Sequence, residues 1–431
     1  MRTGGRIQAA IEVLEAMARQ HRPAADALSD WGRAHRFAGS GDRAVIGNIV
    51  YDVLRKRLSL AAQMQNDTPR HLVLAAARDA LAIELDELCA AVDGSRHAPA
   101  AITDGERARL AGGLPDDTPD HVRADVPEWL APSLARRFGD RLVAEGRAMA
   151  ARAPLDLRVN LLKADRERVL KHLEGFGAEP TPHASTGVRI AHRPGMTRLP
   201  NIEADSAHGK GWVEVQDEGS QIAALLSAAG PREQVLDLCA GAGGKTLALG
   251  AQMQNTGQIY AYDRDRGQLR PIFERIRRAG LRQVQVMEAG DMAALDELGP
   301  RFDLVFVDAP CSGSGTWRRK PDAKWRLKPK ALETRLQEQR DVLSRAATLV
   351  KPGGRLAYVT CSVLPEENED QVASFLEAHP DFAIEPAAPL WAKALDSEPD
   401  AAAHANGWLQ LSPLGHGTDG FFVALLARAP N

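Results

Sequence analysis

The sequence predicts a multidomain chain: an all-α N-terminal domain, a small α/β linker subdomain, and a C-terminal α/β domain of Rossmann-like architecture with an antiparallel last strand. Three observations carry this. Residues 7–90 repeat apolar side chains at spacings of three and four. From Pro154 the pattern changes to short alternating runs around one helical stretch. Beyond residue 211, apolar strands alternate with helical segments, as in a parallel sheet covered on both faces. The 431 residues exceed one compact domain, and the divisions fall at 1–125, 126–210 and 211–431.

In the first part, "IQAAIEVLEAMA" and "RAVIGNIVYDVLRKRLSLAAQM" are rich in Ala, Leu and Arg, all good helix formers. Periodicity is lost from about 92 to 126, where Asp, Pro and Gly suggest a linker or surface excursion. Helical patterning returns in "PEWLAPSLARRFGDRLVAEGRAMAAR", with Pro127 suited to a first turn. "PLDLRVN" reads as a strand, "DRERVLKHLEGFG" as a helix closed by Gly175 or Gly177, and "GVRIAH" as another strand. After "WVEVQDEGSQIAALLSAAG", strands are expected at "QVLDLC", "QIYAYD", "QVQVMEA", "DLVFVDAP" and "GRLAYVTCS". "WLQLSP" and "GFFVALLAR" close the chain as a hairpin-like antiparallel edge.

No apolar run approaches the roughly 18 residues of a membrane helix. The start of the chain lacks an apolar signal core, since Glu12 and Glu15 interrupt it, so a cytoplasmic location is expected. The four cysteines, Cys89, Cys239, Cys311 and Cys361, form no C-x-x-C pair. No metal is expected, and in a reducing compartment the thiols stay free. The net charge of −3 gives no bulk attraction to nucleic acid, so any such site must be a local patch.

"VLDLCAGAGGKT" joins a buried strand to a helix. It ends like a P-loop, but Cys239 stands where the first glycine should be. Gly241, Gly243 and Gly244 also miss the G-x-G-x-x-G spacing. What remains is a loop whose glycines let backbone approach a ligand, leading into a helix start with unpaired N–H groups. Asp263 ends the next strand, where doubly wound folds hydrogen-bond ribose. Ribose recognition without a phosphate cradle suits S-adenosylmethionine; a purely structural turn is the plainer alternative.

Two thiols decide between them. Cys311 follows the fourth expected strand in "VDAPCSGSG", beside Asp308, and Cys361 ends the fifth in "VTCSVLPEENE". Ligands in open parallel sheets lie outside the carboxyl ends of strands, so both thiols and Asp308 should share an edge with the glycine loop. The chemistry that wants such a group is methylation of a pyrimidine at carbon 5. A thiolate adding to carbon 6 makes carbon 5 nucleophilic, and an acid near ring nitrogen 3 stabilises the charge that develops. The nucleophilic thiol needs an electropositive setting. Cys89 and Cys239 read as small packed hydrophobes.

"LDLCAGAGGKT", "DAPCSGSGTWRRKPDAKW" and "VTCSVLPEENE" resemble motifs of the Nol/Nop/Sun family of RNA cytosine-5 methyltransferases. "LRVNLLK", "VEVQDEGSQ" and "GTDGFF" extend the likeness over about residues 125–430. The resemblance implies a class I methyltransferase domain in which Cys361 attacks the base and Cys311 assists product release. It places Asp308 against base and cofactor. It gives Cys239, Ala240, Gly241, Ala242, Gly243, Gly244, Lys245 and Asp263 to S-adenosylmethionine, with Asp291 beside the adenine. Most members have proline where this chain has Ala242. "GDRAVIGNIVYDVLR" is similar to the NusB-like helical domain of the ribosomal, RsmB-type subtype, which implies 16S rRNA as substrate and a monomeric enzyme.

"WRRKPDAKWRLKPK" holds seven basic residues and one acid, with two interleaved tryptophans. Trp317, Arg318, Arg319, Lys320, Lys324, Trp325 and Arg326 are therefore expected to bind RNA, through phosphates and a stacked base. The seven arginines from Arg264 to Arg282 read rather as a solvated helix face. An unpaired or loop cytosine is the expected target, because the base must leave its stack. The rivals are a transfer-RNA enzyme of the same chemistry, a non-catalytic RNA-binding assembly factor, and a nucleotide-dependent P-loop enzyme. DNA adenine enzymes would need an Asn/Asp-Pro-Pro-Tyr strand end, which is absent, and DNA cytosine enzymes lack the second thiol in "TCS".

Overall fold

A computed structural model describes residues 1–20, 22–192, 198–398 and 406–430. The chain divides into two compact units. One contains Met1–Arg152, His192–Leu199 and Trp317–Leu327; the other contains Ala153–Ala191, Pro200–Thr316 and Lys328–Asn431.

The first unit is helical. Helices Thr3–Gln20, Ser40–Arg55 and Pro69–Leu81 bury Ile7, Ile11, Ile46, Ile49, Val53, Val73 and Leu74 in one core. The stretch expected to be a linker belongs to this core instead. Thr103 and Glu106 form a reciprocal capping box that starts helix Asp104–Ala111, and Leu110 is buried. The buried Asp125 carboxylate accepts the Leu58 and Ser59 N–H groups at 2.9 and 3.0 Å, which fixes the end of this stretch. The compact unit as a whole takes in the chain as far as Arg152. Gly139, at φ +53°, separates helices Ala131–Phe138 and Leu142–Met149.

The second unit carries every strand among the described residues. β1 (Leu155–Val159), β2 (Ala178–Pro180), β3 (Gly187–Ile190) and β4 (Val213–Val215) form an antiparallel sheet in the order β2-β3-β1-β4. The expected helix is Arg166–His172, and a following 3-10 turn closes on Gly177 at φ +68°.

The main sheet comprises β5 (Gln234–Asp237), β6 (Gln258–Ala261), β7 (Val284–Val286), β8 (Phe302–Asp308), β9 (Val350–Thr360), β10 (Phe382–Glu385), β11 (Leu409–Gln410) and β12 (Phe422–Arg428). Its order is β10-β12-β9-β8-β5-β6-β7, with β11 beside β12. β5 to β9 pair in parallel, and β12 runs antiparallel to β9. Chain order reverses at β5, between β6 and β8, so a crevice is expected outside their carboxyl ends.

One expectation about this sheet is corrected. β11 and β12 do pair antiparallel, but β12 is not an edge; it lies between β9 and β10. Its Val423–Leu426 run is buried throughout, as an interior strand requires. The edge is β10, four residues too short to stand out by alternation.

Candidate active site

β5 ends at Asp237, and helix Gly244–Gln252 begins seven residues on. The turn between them depends on two glycines. Gly243 sits at φ +84°, and a Cβ there would lie 2.4 Å from Ile272 Cγ1. Gly241, at φ +50°, has open space where its side chain would be. The Asp263 carboxylate at the end of β6 accepts the Gly241 N–H at 2.8 Å and the Asp265 N–H at 2.8 Å. Ala242 leaves its carbonyl to the Arg275 guanidinium at 2.9 Å, and Arg275 is itself paired with Glu214.

Asp237 was not foreseen. Its Oδ2 accepts the Thr246 hydroxyl at 2.6 Å, while its buried Oδ1 has no partner among the described residues. Burial pushes its pKa up to about 7 against the pull of Thr246. A glycine loop with open space, a helix start, the Asp263 carboxylate at the end of the next strand and a buried Asp237 oxygen without a partner among the described residues fit a cationic nucleoside cofactor such as S-adenosylmethionine. Cys239 packs into the apolar core and burial raises its thiol well above the ordinary range, so it stays a thiol. Asp291 caps helix Met292–Asp296 by accepting the Ala294 N–H at 3.0 Å.

β8 and β9 are parallel neighbours, and their carboxyl ends bring Asp308, Cys311 and Cys361 together. The two Sγ atoms are 3.4 Å apart. The hydrogen bond to Cys361, followed by burial, raises the Cys311 thiol well above its ordinary pKa. Either sulfur can donate in this contact. Lys245 Nζ lies 2.6 Å from Asp308 Oδ2 and 5.2 Å from the Phe421 ring centre. Burial disfavours this ammonium, but Asp308, with the Cys361 and Asp237 charges, outweighs that and holds its pKa above normal. Lys245, assigned from sequence to the cofactor loop, therefore reaches across to the thiols.

The residues after each cysteine are tied together. Buried Glu367 accepts the Ser312 N–H at 2.7 Å, the Ser312 and Ser362 hydroxyls at 2.5 Å each, and Gln339 Nε2 at 3.1 Å. Gly315 donates its N–H to the Cys361 carbonyl at 3.0 Å, and Gly420 donates to the Gly315 carbonyl at 2.8 Å. A Cβ on Gly315 would meet the Gly420 oxygen at 2.0 Å, so the "SGSG" and "GTDG" glycines exist for backbone contact. Glu367 lies in "PEENE", where consecutive acids read as a solvated run; no periodicity marks it as interior.

The basic stretch expected to bind RNA is largely interior to the helical unit. Lys324 Nζ donates to the Arg55 carbonyl at 3.0 Å and Trp325 Nε1 to the Leu54 carbonyl at 2.6 Å. They thereby satisfy terminal carbonyls of helix Ser40–Arg55. The Arg55 guanidinium donates back to the Arg318 carbonyl at 3.0 Å. Trp317, Arg318 and Lys324 are buried, Arg319 and Trp325 half-buried, and Arg326 pairs with Asp322 at 3.2 Å; Lys320 stays exposed. Burial of Lys324 lowers its pKa to about 8. Trp317 is too buried in this structure for a base to stack on it, and Lys324 with Trp325 caps the helix.

Among the described residues no group of His, Cys, Asp or Glu could hold a metal, and no helix is long and apolar enough to cross a membrane.

Comparison with known proteins bears on this geometry. Residues 224–427 match the family described as "16S rRNA methyltransferase RsmB/F", and residues 126–197 match a "Methyltr_RsmF/B-like, ferredoxin-like domain". The chain is 35% identical over 314 residues to the "Probable ribosomal RNA small subunit methyltransferase B" of Synechocystis, covering 70% of this chain and 67% of that protein. It is 32% identical over 335 residues to the "Ribosomal RNA small subunit methyltransferase B" of Sodalis glossinidius, covering 77% and 70%. A solved structure described as "Crystal Structure of PH0851" superposes with a TM-score of 0.72 at 27% identity, covering 99% of each chain.

Proposed function

Because the chain belongs to the 16S rRNA methyltransferase RsmB/F family, we propose that it transfers a methyl group from S-adenosylmethionine to carbon 5 of a cytosine in small-subunit rRNA, through a covalent Cys361 adduct. The observation that supports this most is the 3.4 Å Cys311–Cys361 sulfur pair beside the Lys245–Asp308 ion pair. An assembly factor without catalysis has no use for it.

In this reading Cys361 Sγ adds to carbon 6, and the electron pair of the 5,6 double bond becomes available at carbon 5. S-adenosylmethionine, held by the glycine loop, Lys245 and Asp263 with Asp291 toward the adenine, supplies an electrophilic methyl when bound. Asp308 faces the ring edge where charge develops, and the Lys245 ammonium keeps positive charge near both carboxylate and sulfur. Cys311, its own proton given up to solvent, takes the carbon 5 proton; the electron pair of that bond re-forms the 5,6 double bond, the Cys361–carbon 6 bond breaks, and Cys361 leaves as the thiolate. The helical unit is proposed as the NusB-like module of the ribosomal subtype, acting in a cytoplasmic, monomeric enzyme.

The test is methyl transfer from labelled cofactor to unmodified small-subunit rRNA and, in parallel, to unmodified tRNA, with nucleoside analysis of the digest. Labelled 5-methylcytidine from rRNA alone is expected. Label on tRNA alone would move the substrate to the transfer-RNA reading, and label on any other atom would overturn the chemistry.

A further inference from the structure

Lys324 and Trp325 of the expected RNA-binding stretch are engaged in capping a helix, so a second basic surface is of interest. The segment Arg266–Leu269 and helix Ile272–Ala279 follow β6 and cover the glycine loop, since Ile272 packs on Gly243 and Arg275 holds the Ala242 carbonyl. Its seven arginines are not equivalent. Arg264 pairs with Glu338, and Arg275 and Arg278 pair with Glu214. Arg266, Arg270, Arg277 and Arg282 are exposed and have no carboxylate partner among the described residues. Three of these four recur with Phe273 at helical spacing, 266, 270, 273 and 277, on one stripe distinct from the buried Leu269–Ile272–Ala279 face. Phe273 is 61% exposed, so its ring face is open to a stacking base.

We propose that this stripe binds the phosphate backbone of the RNA strand flanking the target cytosine, with Phe273 stacking an unpaired base. This deepens the rRNA reading and rests on it. The occupant follows from charge complementarity: unpartnered guanidiniums spaced along a helix, interrupted by one aromatic face, match a single-stranded polyanion with exposed bases. From Arg266 to Arg277 the helical path is about 16 Å, room for several consecutive phosphates. The chain as a whole carries −3, so attraction to a polyanion must come from a local group of cations such as this one.

The experiment compares the full-length parent, the triple variant Arg266→Gln/Arg270→Gln/Arg277→Gln, and Phe273→Ala. Readouts are binding to unmodified small-subunit rRNA across a salt series, steady-state methyl transfer, and melting temperature. For the triple variant, the expected result is a KM for RNA raised about tenfold and a salt slope shallower by roughly 2. Its kcat at saturating RNA, KM for S-adenosylmethionine and melting temperature should match the parent. Phe273→Ala should weaken RNA binding severalfold with the slope unchanged, because stacking carries no counterion release. Unchanged RNA affinity and slope in the triple variant overturn the proposal. A parent that binds this RNA through the stripe but methylates no cytosine overturns the activity reading and leaves the surface standing.

Discussion

The Sγ atoms of Cys311 and Cys361 lie 3.4 Å apart at the carboxyl ends of adjacent parallel strands, held there by one buried carboxylate, Glu367. Either sulfur can donate in this contact, so both thiols stand where one proton can pass between them.

The proposed roles of the two thiols predict opposite phenotypes. Cys361→Ala should form neither product nor adduct, because no nucleophile reaches carbon 6. Cys311→Ala should add to the base and transfer the methyl but release slowly, accumulating a denaturation-resistant protein–RNA complex with labelled RNA. Gel analysis after labelling separates the two. Equal activity of Cys361→Ala and the parent would remove the role assignment altogether.

Glu367 sets the geometry of both cysteine loops. Its two oxygens accept four hydrogen bonds, three of them from Ser312 and Ser362. In Glu367→Gln the amide places a donor against donors, costing about 2–3 kcal/mol, and the melting temperature should fall by several degrees. Release should suffer more than cofactor binding: kcat down at least tenfold, KM for S-adenosylmethionine within twofold. An unchanged kcat in a folded variant would show that the loops hold their spacing without it.

The sequence contains the parallel sheet because five apolar runs carry their own periodicity, and it contains the thiol pair because strand ends converge in any such sheet. It does not contain β10, whose four residues are too few to alternate. The fate of Trp317–Leu327 was hidden for another reason. Its ammonium and indole N–H meet carbonyls of Leu54 and Arg55, some 270 positions earlier, and nothing local distinguishes a capping lysine from a phosphate-binding one. Glu367 escaped notice because an acid run is ordinarily solvated, and only tertiary closure of two serine-bearing loops gives it four donors.

Trp317 provides the matching test in the helical unit. It is 1% exposed, so Trp317→Ala should lower stability by about 3–5 kcal/mol. Trp317→Leu, which keeps apolar volume and loses the indole, should leave the KM for RNA within twofold. A rise of tenfold in that KM, at unchanged melting temperature, would return the residue to RNA stacking.

The two positive-φ glycines of the cofactor loop should fail differently. Gly241→Ala meets no neighbour, so its cost is the left-handed backbone alone, about 1–2 kcal/mol. Gly243→Ala carries that strain and also drives a methyl to within 2.4 Å of Ile272 Cγ1. Calorimetry should rank the parent above Gly241→Ala above Gly243→Ala. Since the space beside Gly241 is the cofactor's in the proposed reading, Gly241→Ala should raise the KM for S-adenosylmethionine more than its small stability loss suggests.

Asp237 gives the site a pH signature. Its pKa rises from 3.8 to about 7 on folding, driven by burial, so the folded state binds the proton more tightly than the unfolded chain. Its contribution to stability is therefore full below about pH 3.8 and is lost as pH rises through about 7. Above that, the ionised, half-partnered carboxylate destabilises the cofactor-free protein by up to about 4 kcal/mol. Asp237→Asn keeps an oxygen for the Thr246 hydroxyl and cannot ionise. Cofactor-free melting curves from pH 5 to 8.5 should show the parent losing stability relative to the variant, with the gap growing most steeply below about pH 6.5 and levelling off above about pH 7.5. Parallel curves for the two proteins would mean that Asp237 is already ionised at pH 5, held so by a partner to its Oδ1.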